Sequence, residues 1–475
     1  MLAVVIVFCT SAAVLVLEIL AGRLLAPYVG VSLETYTGII GTVLAAIAVG
    51  TAAGGRLADR IDPRRLLGPT LIAGGILAWV SLPLLTWMGP TVGRGADSIV
   101  VLTAVAFFLP AAVLSAASPM VAKLRLSDLG QTGAVVGGLS AAGTAGALVG
   151  TFGTGFILLA ALPTRPIVLA IGASLVVGGT ALWFRFATTM PSMRTATVLL
   201  ALVVATAGTA ATATSVCQWE TAYYCVTIEH DPTDPDGRIL QLDDMRHSHV
   251  HLTDPAQLDF RYVRVFAQVA DRHGPGALSV FHVGGGGFTF PRYLEATRPG
   301  STNVVAEIDT ELVEIAEAHL DLRPSDDLVV ETVDARGALV DADDGVFDVV
   351  VGDAFGGMSV PWHLTTREVV AEIRRVLSPG GTYVVNVIDR NERHFVRAKA
   401  ATLIDQFDHV AIIFPPVATA HSANYVLVAS DAPLEDLVVD PEDGRKVTGA
   451  ELEEFVGGAR VLTDGFAPVD QLISR

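Results

Sequence analysis

The sequence is short of charge and of cysteine. Charged residues make up 17% of its 475 positions, and only three cysteines occur, Cys9, Cys217 and Cys225. Their spacing fits neither a zinc site nor a disulfide framework, so no metal centre and no network of cross-links is expected. Cys217 and Cys225 alone could pair, and only in an oxidising compartment. The shortage of charge is confined to one half. Residues 1–214 hold 11 Lys/Arg and 6 Asp/Glu, whereas 215–475 hold 20 and 43, a balance of +5 against −23. A region that acidic repels phosphate backbones, which argues against nucleic acid as a partner and for a cationic or neutral substrate. A solvated acidic surface would give the same balance.

What the first half has instead is long apolar runs. A chain of this length exceeds one compact core, and its mean hydropathy of +0.53 points to lipid for part of it. A span needs about 20 mostly apolar residues. Seven stretches qualify: 2–22, 36–54, 66–88, 98–118, 132–160, 165–185 and 195–214. The first is too long, and too closely followed by others, to read as a cleaved signal peptide. A polytopic domain in the lipid bilayer is expected over residues 1–214. Gly137, Gly138, Gly143, Gly146, Gly150, Gly153 and Gly155 crowd the fifth stretch and predict close helix packing. Glu18, inside the first stretch, is either a functional intramembrane carboxylate or the structural partner of Arg23 near the interface. The basic loops with Arg56, Arg60, Arg64 and Arg65, with Lys123 and Arg125, and with Arg185 and Arg194 should face the cytoplasm. Seven spans then put the second half outside, whereas an error of one span would put it in the cytoplasm. The side of the second half is left open.

After Thr214 the pattern changes to short apolar runs divided by polar turns. Strands are predicted at 226–230 and 238–242 and a helix at 257–271, giving a small β unit and connecting helix over 215–275. From 276 to 475 strands alternate with helices. Strands are predicted at 278–283, 303–308, 327–331, 347–352 and 382–388, and helices at 290–297, 310–320, 366–377 and 394–406. That alternation predicts a parallel sheet covered on both faces, with chemistry at the carboxyl ends of its strands. The first strand runs into Gly284-Gly285-Gly286-Gly287, a loop that lets a ligand approach the backbone, although glycine also serves plain turns. About 20 residues on, Glu307-Ile308-Asp309 closes the second strand. Glu307 is positioned to accept a ribose's hydroxyls and Asp309 to cap the helix that follows. Asp334, with Ala335, fits a contact to the adenine. Asp353 closes the fourth strand, where a carboxylate can take a proton from an attacking amine or simply cap a turn.

Together these residues resemble the spermidine synthase (polyamine aminopropyltransferase) family, in particular its bacterial branch fused to a membrane domain. The resemblance runs from about 220 to 430. It rests on Gly284-Gly285-Gly286, Ala306-Glu307-Ile308-Asp309, Val333-Asp334-Ala335, Asp353-Ala354-Phe355 and Leu377-Ser378-Pro379-Gly380-Gly381. Glu220-Thr221-Ala222-Tyr223 and Leu240-Gln241-Leu242-Asp243 resemble the family's N-terminal β unit. The fold it implies is a polytopic helical membrane domain followed by a Rossmann-like, class I methyltransferase-like α/β domain. The resemblance implies decarboxylated S-adenosylmethionine as co-substrate and an amine such as putrescine as acceptor, with Asp353 as the base. Tyr224, Tyr262 and His363 are candidates for the acceptor side. Several family positions differ: the acid after the three glycines is Gly287, the second Asp after the base is Gly356, and the Gln of the N-terminal unit is Tyr224. A methyltransferase using S-adenosylmethionine, or a non-catalytic membrane sensor of nucleosides or polyamines, are the alternatives, and a homo-oligomer is left open.

Overall fold

The computed structural model describes residues 1–93, 95–126, 132–186, 193–355, 360–416 and 422–474. The chain forms two compact units, Met1–Cys225 and Val226–Arg475.

Among the described residues of the first unit, six helices are long and apolar enough to cross a membrane. They are α1 (Leu2–Val29), α2 (Leu33–Arg60), α3 (Pro63–Thr91), α4 (Asp97–Arg125), α5 (Thr132–Ala161) and α6 (Thr164–Phe186). The seventh expected stretch is α7 (Met193–Thr212), 20 residues long. Its apolar part, Ala196–Thr212, is shorter than the other six, so the count of seven full-length spans becomes six long helices and one shorter one. In the absence of a hydrophobic drive between spans, glycine lets backbones meet. A Cβ on Gly146 would fall on the Phe8 carbonyl of α1, and one on Gly150 would lie 2.5 Å from the Ala12 oxygen. The same stripe at Gly137, Gly138, Gly153 and Gly155 has open space around it, so only part of it serves packing within the unit. Arg23 donates not to Glu18 but to the carbonyl of Thr221. Cys217 and Cys225 form a disulfide.

The second unit begins with an antiparallel meander of β1 (Cys225–His230), β2 (Gly237–Leu242) and β3 (Met245–His251). Helix α8 (Arg261–Asp271) leads into the main sheet. There β4 (Ser279–Val283), β5 (Thr302–Ala306), β6 (Leu328–Glu331), β7 (Phe347–Gly352) and β8 (Leu377–Asp389) are all parallel. Then β9 (His409–Phe414), β10 (Ala423–Ser430) and β11 (Arg445–Val447) add an antiparallel edge, giving the order β11-β9-β10-β8-β7-β4-β5-β6. The expected all-parallel sheet is therefore mixed. The tail beyond β8 forms a hairpin that returns to pair with β8, and no helical crossover is needed for that.

Both faces of the sheet are buried, which is why its central strands read as continuous apolar runs. Val280, Val349, Val351 and Val384 pack on one face under α8 and α9 (Thr289–Thr297). Phe281, Val283, Val350 and Val385 pack on the other, under α12 (Arg367–Val376) and α13 (His394–Ile404). The remaining helices are α10 (Thr310–His319), α11 (Ala335–Asp341), α14 (Gly449–Val456) and α15 (Val469–Ser474).

The packing of α5 on α1 sets a test. Gly146→Val overpacks that contact and should cost about 1–3 kcal/mol, lowering the thermal midpoint in detergent. Gly138→Val, with nothing within 4 Å, should leave it unchanged.

Candidate active site

The site forms where β4, β5 and β7 end. Gly284 leaves β4 with φ +91°, its N–H donating to the Ala306 carbonyl at 3.0 Å. A side chain there would meet both the left-handed backbone penalty and the Asp353 carbonyl, 2.9 Å from the Cβ position. The loop's amides are held by Glu307, whose Oε2 accepts from Gly285 N at 2.8 Å and Gly286 N at 3.3 Å. Its Oε1 accepts from Asp309 N at 3.0 Å. Glu307 is buried, and burial raises its pKa while those three N–H groups pull it back down. Asp309 caps α10 through Leu312 N at 3.2 Å, as expected. Phe288 ends the loop with φ +54°, a conformation uncommon for a bulky residue, and is fully buried.

Asp334 caps α11, its Oδ1 accepting from Arg336 N and Gly337 N, and Ala335 opens that helix within the core. The other carboxylate oxygen, Oδ2, lies 2.9 Å from His363 Nε2. The structure thus brings His363 to the end of β6, beside Asp334, and not into the cavity lined by Tyr262.

Asp353 stands at the end of β7. Its Oδ1 accepts from Asn386 Nδ2 at 3.0 Å, and the Tyr262 hydroxyl donates to it as well. Asn386 in turn accepts from Asn424 Nδ2 at 3.0 Å, so two amides on the neighbouring strands β8 and β10 form a relay ending on the carboxylate. Desolvation outweighs these donors and pushes the Asp353 pKa up to about 6, while burial and the nearby carboxylate raise that of Tyr262. A base poised near neutral pH is what proton abstraction requires. Beyond it opens a cavity of about 520 Å³, lined among others by Tyr262, Phe355, Asn386 and Asn424. A smaller space of about 30 Å³ adjoins Gly284, Gly285 and Asp353. Asn386 and Asn424 have no sequence motif; only their place on β8, which adjoins β7, and on β10, which adjoins β8, could have singled them out.

The acidic groups at the cavity are already engaged. Asp259 pairs with Arg246 at 2.9 Å, and Asp443 with Arg264 at 2.7 Å and Gln268 at 2.7 Å. The Gly287 position is closed as well: its N–H donates to Ser248 Oγ at 3.1 Å, and a Cβ there would lie 2.7 Å from the Ser248 Cβ. Burial lowers the pKa of His247, next to it and half-buried, to about 4, so the ring is neutral at neutral pH. Tyr224 belongs to the first unit, its carbonyl accepting from Thr221 N at 2.9 Å. Gly356 lies outside the described residues.

Residues 281–385 match the model of a family described as "Methyltransferase domain". Among curated proteins, the polyamine aminopropyltransferase of Vibrio vulnificus is 33% identical over 138 residues, 28% of this chain and 45% of that protein. That of Chromobacterium violaceum is 29% identical over 116 residues, 24% of this chain and 44% of that one. Both matches are to proteins named polyamine aminopropyltransferase, and each covers under a third of this chain. The chain spans less than half the length of these relatives. A crystal structure of a probable spermidine synthase from Corynebacterium glutamicum is 26% identical with a TM-score of 0.49, covering 54% of this chain and 99% of that one. Within the second unit the glycine loop, Glu307 and Asp353 converge on one end of the sheet, as the sequence pattern implies.

The two donors to Asp353 both hold its pKa down, so removing one raises it. Asn386→Leu should move the Asp353 titration to higher pH, measured by carboxylate-resolved NMR or infrared difference spectroscopy between pH 4 and 9.

Proposed function

We propose that this protein is a membrane-bound aminopropyltransferase of the spermidine synthase type. It would move an aminopropyl group from decarboxylated S-adenosylmethionine to an acceptor amine such as putrescine. The observation that carries this reading is Asp353, a carboxylate with a pKa of about 6, set between the glycine loop and an open cavity. In this reading Glu307 receives the ribose, Asp334 and Ala335 the adenine, and the amides of residues 284–286 lie against the rest of the nucleoside. Tyr262 and the cavity hold the acceptor. His363, bonded to Asp334, acts on the adenine side by fixing that carboxylate.

The reaction needs little beyond position and a base. The amine lone pair attacks the carbon beside the sulfonium, the C–S bond breaks with its electrons going to sulfur, and a neutral thioether nucleoside leaves. The proton lost by the nitrogen passes to Asp353. A protonated Asp353 cannot accept it, so turnover should rise with pH through about 6 and fall below it, as a pH–rate profile would register. Asp353→Asn should lower turnover by about 10²–10⁴-fold while leaving nucleoside binding intact.

Methyl transfer from S-adenosylmethionine is the second reading, favoured by the Gly287 contact. With Ser248 packed on that glycine and a neutral His247 beside it, no carboxylate stands there to select a donor that has lost its own. Calorimetric titration of the purified full chain decides between them. Tighter binding of decarboxylated S-adenosylmethionine supports aminopropyl transfer, tighter binding of S-adenosylmethionine supports methyl transfer, and binding of neither removes both.

A further inference from the structure

We infer that α7 crosses the membrane and that the second unit, with its active site, lies on the non-cytoplasmic face. The inference stands apart from which group is transferred, because it follows from the first unit alone.

Three sets of contacts place the end of α7 on a definite face. Arg165, in the first turn of α6, donates to the carbonyls of Ala210 at 2.9 Å and Ala211 at 3.4 Å, in the last turn of α7. Glu220, eight residues past α7, accepts from Thr164 N at 2.7 Å, where α6 begins. Arg23, toward the end of α1, donates to Thr221. A common cavity is lined by Arg23 and Tyr28 of α1, Thr86 of α3, Arg165 of α6 and Ser215 and Cys217 after α7. The beginning of α6 and the end of α7 therefore share one face. The chain leaves that face along α6, 23 residues long, and must return along α7. Its 20 residues span about 30 Å, the thickness of the hydrocarbon core. The apolar part of α7, Ala196–Thr212, is at the lower end of the roughly 17–25 residues with which helices cross, and Arg194 sits at its basic end.

The sign of that face comes from the basic residues. Of the eleven Lys and Arg before residue 215, eight cluster at the opposite ends of the helices. They are Arg56, Arg60, Arg64 and Arg65 between α2 and α3, Lys123 and Arg125 at the end of α4, and Arg185 and Arg194 between α6 and α7. Basic loops stay in the cytoplasm, so the face carrying Glu220 is the outer one. A second observation agrees without using charge. Cys217 and Cys225, directly after α7, are joined in a disulfide, a bond that persists in oxidising compartments and is rare in the cytosol. Donor and acceptor must then be supplied from outside. If the donor is an adenosyl sulfonium, the step before this one is its transport across the membrane or its formation beyond it.

The test uses the full chain in spheroplasts, with Cys9→Ser so that no other free thiol remains. Val438→Cys puts a thiol on an exposed site of the soluble domain, 78% accessible, and Arg64→Cys puts one in the basic turn. A membrane-impermeant maleimide should label the Val438→Cys protein before lysis and the Arg64→Cys protein only after it. The reverse pattern, or labelling of both only after lysis, overturns the inference. Independently, protein quenched in acid and denatured should take up two further maleimides only after reduction. Free Cys217 and Cys225 thiols without reduction would remove the oxidising-compartment argument and count against the assignment.

Discussion

One buried carboxylate, that of Glu307, holds the site together. It stands at the end of β5, yet its two oxygens accept from the amides of Gly285 and Gly286 and from Asp309. A loop of four glycines has more backbone freedom to lose on folding than any other sequence of that length, and without an anchor it would not keep one shape. Glu307 supplies that anchor from the adjacent strand. Gly284 in turn packs against the backbone that presents Asp353. Shape in the loop, and position of the base, both trace to this contact.

Much of the architecture was legible because burial leaves simple patterns. The continuous apolar runs of β4 and β7 identify strands covered on both faces, and Asp309 announces the start of α10. The antiparallel edge was not legible. Strands β9 and β10 are as apolar as the parallel strands, and direction leaves no trace in composition. The short spans of β3 and α11 were also passed over, since β3 alternates His and Ser where a strand pattern calls for Val or Ile. In the first unit length and hydropathy sufficed for α1 to α6. They also picked out α7, as the stretch 195–214, and the contacts of Arg165 and Glu220 fix where its end lies.

At the site, the residues at strand ends, Gly284 to Gly286, Glu307, Asp334 and Asp353, were legible because the sheet fixes where its carboxyl ends must lie. Tyr262 was found through resemblance alone, and the structure bonds it to Asp353. His363 was misplaced because sequence order puts it shortly after Asp353, while the turn at Trp362–Leu364 carries it to Asp334. Asn386 and Asn424 were invisible for a different reason. They act through cross-strand proximity between β8 and β10, where Val426 faces Asn386 and Asn424 faces Ile388, and no spacing in the chain encodes such a pair.

That relay has a consequence for how the site can change over time. The basicity of Asp353 is raised by burial and moderated by two neutral donors, Tyr262 on α8 and Asn386 on β8, the second backed by Asn424 on β10. Substitutions at those positions can therefore retune the working pH of the site in small steps while the base itself stays fixed. The hairpin that carries Asn424 is the part of the sheet built from the chain's late, antiparallel strands. Variation in that C-terminal addition thus reaches the proton-accepting group through Asn386, so two proteins with the same strand-end residues can operate at different acidity.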